Sequence, residues 1–164
     1  KHITVPLRQL CYAVFASRKK IRMVPERQVT EGNNLPGIIG SVLLLLCLLQ
    51  VKHLFADFFL QTAKMLSGRG TYMHAGRAQH AGVHALGSVV IFVVMGAPVF
   101  FTLVICLLEW VVHFHIDYGK AHYSEKKELT PQQAVFWRAM GTDQCLHQLT
   151  YIAMTAAWVK FVAI

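Results

Sequence analysis

At five places, in or beside apolar segments of this chain, metal-capable or hydrogen-bonding side chains stand four residues apart: His53/Asp57, His80/His84, Glu109/His113, His113/Asp117 and Asp143/His147. Residues at i and i+4 share one helix face, so both members of a pair can address the same partner. Ionisable groups are costly to bury in apolar surroundings, and where they persist there they are functional candidates. The segments that carry them are therefore constrained twice, by an apolar exterior and by a polar stripe that must find company.

The 164 residues are 55% hydrophobic and only 15% charged, with a mean hydropathy of +0.44. That is too oily and too poor in charge for an ordinary soluble domain, and a small polytopic membrane protein fits better. The net charge of +8 does not point to nucleic acid. Lys and Arg fall mainly before the first apolar segment and between the later ones, the normal flanking pattern of membrane helices, so the expected partner is a lipid bilayer. Cys11, Cys47, Cys106 and Cys145 form no CxxC, and neither a disulfide framework nor a zinc ribbon is indicated. The chain begins at Lys1 with no short apolar core and cleavage site nearby, which suggests that an upstream piece is missing or removed.

The fold class read from these patterns is all-α: a polytopic membrane protein with four transmembrane helices in an antiparallel bundle. Residues 1–34 form a basic extension in which Leu7, Leu10, Cys11, Val14 and Phe15 repeat at helical spacing. It reads either as an amphipathic helix lying at the headgroup level or as a basic tail without fixed structure. Residues 35–164 form the membrane domain, with spans at about 36–61, 79–96, 98–120 and 143–164. The charge-free part of the first span, Gly37 to Val51, covers roughly 22 Å at the helical rise, short of a hydrocarbon core of roughly 30 Å. This helix must continue past Lys52 and His53, with Lys52 expected to snorkel outward. Gln50, His53, Asp57 and Gln61 then share a face. Gly96-Ala97-Pro98 predicts a tight reversal, and residues 121–142 a polar loop.

Helices joined in this way run alternately up and down. The polar pairs occupy the C-terminal end of span one, the N-terminal end of span two, the C-terminal end of span three and the N-terminal end of span four. All of these ends lie on one side of the membrane, so the pairs converge at one depth.

Imidazole with carboxylate suits zinc, iron or manganese, and bundles build such sites from i, i+4 pairs on separate helices. The metal-ligand candidates are His53, Asp57, His80, His84, His113, Asp117, Asp143 and His147, enough for two ions or for one ion with an ordered surround. Asp57, Asp117 and Asp143 are also the candidate catalytic carboxylates, any of which could act as a general base for metal-assisted hydrolysis. Gln61, Glu109 and Gln144 would support the ligands by hydrogen bonding. His115 lies about 200° around the helix from His113 at 100° per residue and faces away. His74 and His122 fall in polar loops.

The runs His53-Leu-Phe-Ala-Asp57-Phe-Phe-Leu-Gln61, His80-x-x-x-His84, His113-x-x-x-Asp117 with Lys120, and Asp143-Gln144-x-x-His147 together resemble a family of small bacterial four-helix inner-membrane proteins whose function is uncharacterised. The resemblance covers roughly residues 45–151. It implies an integral location in the bacterial inner membrane and a shared His/Asp/Gln motif set, and it supplies no reaction. A looser similarity is to small membrane proteins described as metal-dependent hydrolases. The basic extension departs from the family's usual short N-terminus and suggests docking onto other subunits.

Two functions remain open at this level. One is a metal-binding membrane protein, and in particular a metal-dependent hydrolase acting at the lipid interface. The other is an accessory or structural subunit of a larger membrane complex that uses residues 1–34 for contact, the cluster being a polar network or a cofactor site. Charge leaves the orientation nearly balanced. Lys1, Arg8, Arg18, Lys19, Lys20, Arg22 and Arg27 precede the spans, and Lys64, Arg69, Arg77, Lys120, Lys126, Lys127 and Arg138 lie on the motif side. Discounting charges far from a span favours a cytoplasmic motif face.

Overall fold

The computed structural model describes residues 35–68 and 70–163. The amphipathic helix expected within residues 1–34 lies outside them. The described chain is helical: α1 (Leu35–Phe58), the single turn α2 (Ala63–Leu66), α3 (Ala75–Val94), α4 (Val99–Lys126) and α5 (Ala134–Trp158), followed by a π-helical turn at Val159–Ala163. Two of these helices, α1 and α4, are long and apolar enough to cross a membrane.

Each long helix packs against two others: α3 on α4, α4 on α5, and α1 on both α3 and α5, while α2 lies against α3. The reversal expected after α3 is a Schellman turn. The Ala97 amide donates to the Phe92 carbonyl and the Gly96 amide to that of Val93, with Gly96 at a φ of +71°. Only a residue without Cβ adopts that conformation cheaply, and Pro98 immediately beyond cannot continue the helix. Consecutive helices α3 and α4, joined by so short a link, must run in opposite directions.

Several expected boundaries move, and the second span already starts at Ala75. Helix α4 continues to Lys126 and α5 begins at Ala134, so the loop expected over residues 121–142 shrinks to the segment between them. Asp143 consequently lies inside α5 and not at its start. The polar residues in this stretch are compatible with helix because they point outward: Glu125, Lys126 and Arg138 are all exposed. At the end of α1 the departure is opposite. The helix stops at Phe58, and Gln61 lies in the link beyond it.

The interior is divided by polarity. Toward the Gly96 turn it is apolar, with Leu45, Leu49, Phe92, Cys106, Met154 and Trp158 forming one cluster. Toward the other end the buried side chains are His53, His80, His84, Glu109, His113, Asp143 and His147. The exterior is the reverse, since Leu43, Leu44, Val94, Phe100, Leu107 and Ile152 are exposed. A polar interior inside an apolar rind inverts the arrangement of a water-soluble protein.

Candidate metal centre

Helix α1 delivers His53 and Asp57, α3 His80 and His84, α4 His113 and Asp117, and α5 Asp143, Gln144 and His147. The rings form one packed layer. Centroid separations are 3.9 Å for His84–His113, 4.2 Å for His113–His147, 4.7 Å for His80–His84 and 5.2 Å for both His53–His84 and His53–His147. The i, i+4 spacing explains each local pair, and the helix packing brings the pairs together.

Two ligand groups can be traced in this layer, in each of which the donor atoms lie within 4.8 Å of one another: Asp57, His80, His84 and His113, and then His113, Asp117 and His147. In the first, Asp57 Oδ1 is 3.0 Å from His84 Nε2 and 3.2 Å from His80 Nε2. In the second, Asp117 Oδ2 is 3.5 Å from His113 Nε2, while Oδ1 is 3.9 Å from His147 Nε2; Oδ2 also lies 3.6 Å from His80 Nε2. A tetrahedron with metal–ligand bonds of about 2.1 Å has edges of roughly 3.4 Å. These separations are of that size.

The hydrogen bonds say which nitrogens are left to bind. His147 Nδ1–H donates to the Asp143 carbonyl at 2.9 Å, which puts the lone pair on Nε2. That nitrogen is buried and has no hydrogen-bond partner. Both ring nitrogens of His113 and Nδ1 of His80 are in the same state. A buried unsatisfied polar atom costs about 1–3 kcal/mol, and of the four in this layer a cation, taking one nitrogen per ring, would relieve His147 Nε2 and one nitrogen of His113. A backbone carbonyl holding the far nitrogen of an imidazole is also the usual support of a metal-ligating histidine.

His53 and Asp143 stand outside both ligand groups. His53 Nε2 faces two acceptors, Gln144 Oε1 at 3.1 Å and Asp57 Oδ2 at 3.2 Å. It therefore donates, and its Nδ1 accepts from the Tyr151 hydroxyl at 3.0 Å. Gln144 ties three residues together, because its amide also donates to Asp57 Oδ2 at 3.4 Å and Asp143 Oδ2 at 3.2 Å. Asp143 Oδ1 remains buried without a partner. Gln61 reaches back to place Nε2 3.4 Å from His80 Nε2.

Below this layer lies a polar group that sequence reasoning did not assemble. Lys52 was expected to snorkel outward; its ammonium instead turns inward and meets Glu109 Oε1 at 2.6 Å, Ser88 Oγ at 3.1 Å, Tyr151 Oη at 3.2 Å and the His84 carbonyl at 3.3 Å. The reason is pairing. Glu109 is 1% exposed, and a buried carboxylate needs an opposite charge more than Lys52 needs water. Glu109 therefore sits beside an ammonium and not among the imidazoles, although its Oε2 is unpartnered. Room for the lysine stem comes from Gly87, where a Cβ would lie 2.7 Å from Lys52 Cγ.

Tyr151 is the residue that sequence reasoning missed at the centre itself. Its hydroxyl touches Lys52, His53 Nδ1 and His84 Nδ1, the last at 3.4 Å, and so joins the ammonium–carboxylate pair to the imidazole layer. The signal was present, since Tyr151 follows His147 by four residues and Asp143 by eight on one stripe. His115 lies outside the layer as expected, exposed, with Nε2 3.1 Å from the Tyr72 hydroxyl. A cavity of about 310 Å³ reaches the centre from the α2 side, lined among others by Arg77, His80, Asp117 and Lys120.

Neither a curated protein nor a solved structure matches the chain. Residues 44–164 match the family described as "Protein of unknown function (DUF3307)". That span contains the whole polar layer from Lys52 to Tyr151, and the chain belongs to this family.

Proposed function

We propose that this chain is an integral membrane protein of four antiparallel spanning helices, α1, α3, α4 and α5, whose His/Asp layer binds one or two divalent metal ions for hydrolysis at the lipid interface. The apolar rind supports the membrane assignment for α3 and α5, whose own composition is diluted by the polar stripe. The observation that carries the metal is His147: its Nδ1–H is tied to the Asp143 carbonyl, and its bare Nε2 points, buried, into a group with His113 and Asp117.

Asp57, His80, His84, His113, Asp117 and His147 are the ligands in this reading. His53, Gln61, Gln144 and Tyr151 orient them. Asp143, outside both groups and with one free oxygen, is the general base. A bound zinc, iron or manganese ion supplies a Lewis acid and makes water a better nucleophile. The water oxygen forms the new bond to the electrophilic atom of an ester, its proton passes to the Asp143 carboxylate, and the departing alkoxide takes that proton as its bond breaks.

Elemental analysis of the full chain, purified in detergent without chelators, tests this. The expected result is at least one ion per chain, lost in His147→Ala and His113→Ala and retained in Asp143→Asn. Metal-free wild-type protein that cannot be loaded with zinc, manganese or ferrous iron would overturn the assignment.

A further inference from the structure

A second and larger concavity, about 880 Å³, runs between α4 and α5 on the outer surface. On α4 its lining extends from Val111 to Tyr123, roughly 18 Å at the helical rise. The two helices are antiparallel, so the Val111 end faces Leu146 on α5 and the Tyr123 end faces Val135. Polarity changes along this length. Val112, Ile116 and Leu146 line the deeper end, while Lys120 and Arg138 stand toward the other. Neither cation forms an ion pair with a described residue.

We propose that this groove holds an acyl chain of an anionic, phosphate-bearing lipid, with Lys120 and Arg138 on the headgroup phosphate, and that such lipids are the substrate class of the centre. Three observations argue for this occupant. The gradient from apolar to cationic matches one lipid molecule lying parallel to the helices, tail inward. Lys120 and Arg138 form no salt bridge with a described residue, and although Lys120 also lies in the field of the Asp143 carboxylate, the two cations together complement a phosphate, which both Lys and Arg recognise. The groove is also joined to the chemistry: Asp143 lines it, and Lys120 lines both this groove and the cavity that reaches His80 and Asp117. A headgroup held at Lys120 therefore lies at the entrance to the His/Asp layer.

The substrate assignment rests on the metal-hydrolase reading; the binding does not, and the experiment keeps the two apart. The full chain is placed in phosphatidylcholine nanodiscs doped with a phosphatidylglycerol carrying a diazirine on one acyl chain, or with the matching phosphatidylcholine probe. After illumination, labelled peptides are mapped and metal content is measured on the same sample. The expected result is label concentrated on residues 111–123 and 135–146, several-fold stronger with the phosphatidylglycerol probe. Lys120→Gln with Arg138→Gln should remove that preference, and Ala139→Trp should block the groove while the cations remain. Label spread evenly over every lipid-facing helix, or equal labelling by the two probes in the wild-type chain, would overturn the proposal without reference to any variant. A groove labelled as expected in protein that binds no metal would leave lipid binding standing and refute the hydrolase reading. Bound metal with no groove labelling would do the opposite.

Discussion

Two polar layers lie one above the other in this protein, and they are satisfied to different degrees. In the deeper one the Lys52 ammonium meets four oxygens, and only Glu109 Oε2 is left over. In the layer above, His113 has no hydrogen bond at either nitrogen, and His80 and His147 each keep one nitrogen bare. A network whose purpose is to hold helices together is expected to close on itself, because each open atom weakens it. The contrast separates a bolt from a socket: the lower layer is closed but for one carboxylate oxygen, whereas the upper one has the composition, spacing and lone pairs of a ligand set.

The comparison is broken most directly at the bolt. Glu109→Gln leaves a buried ammonium without its counter-charge and should destabilise the fold by about 3–5 kcal/mol, read as a lowered unfolding midpoint in detergent. Lys52→Met combined with Glu109→Met should recover most of that loss, because the pair is then replaced and not severed. A double variant no better than the single one would mean that the lower layer does more than hold the helices.

Metal removal comes next in size. An ion present at a hundred times its dissociation constant stabilises the folded state by about 2.7 kcal/mol. A strong chelator should lower the unfolding midpoint of the wild-type chain accordingly and leave that of His113→Ala unmoved. Equal shifts in both would place the chelator's action elsewhere.

A smaller effect of opposite sign sharpens the contrast. His113→Leu removes two buried unsatisfied nitrogens, and the metal-free chain should gain about 1 kcal/mol while losing the ability to take up metal. A loss of stability in the metal-free state would show that His113 is part of a closed network after all. The smallest effect is expected at His122, exposed on α4 and stacked on Tyr118. His122→Ala should leave metal content unchanged and stability within about 0.5 kcal/mol, marking the edge of the upper layer.

Much of the upper layer was legible in the sequence. The i, i+4 spacing is local, and the alternation of helices gathers four of the five local pairs into one cluster by counting ends, the Glu109/His113 pair being split because Glu109 joins Lys52 below. The lower layer depended on information of another kind. Lys52 and Glu109 are 57 positions apart, and the habit of a lone lysine near a helix end is to reach for water. Two opposite charges inside apolar helices were the only hint that they would prefer each other. The start of α5 was obscured because residues 134–142, apolar apart from Arg138 and Thr142, follow directly on the polar run 124–133 and were read together with it as one loop. The division of labour among the histidines was not legible either. His53 and His147 are the same residue type on similar stripes, and only their hydrogen bonds make one a donor to carboxylate and the other a bare lone pair.

Gly87 sets a condition on all of this. Its single hydrogen leaves the gap through which the lysine stem passes, so the position acts as a size filter on charge. A methyl group there would meet the lysine stem at Cγ and Cδ and force it to shift, away from the course that brings the ammonium to Glu109. The placement of a full positive charge within the molecule thus turns on the smallest side chain in it, and that chain carries no charge and makes no bond.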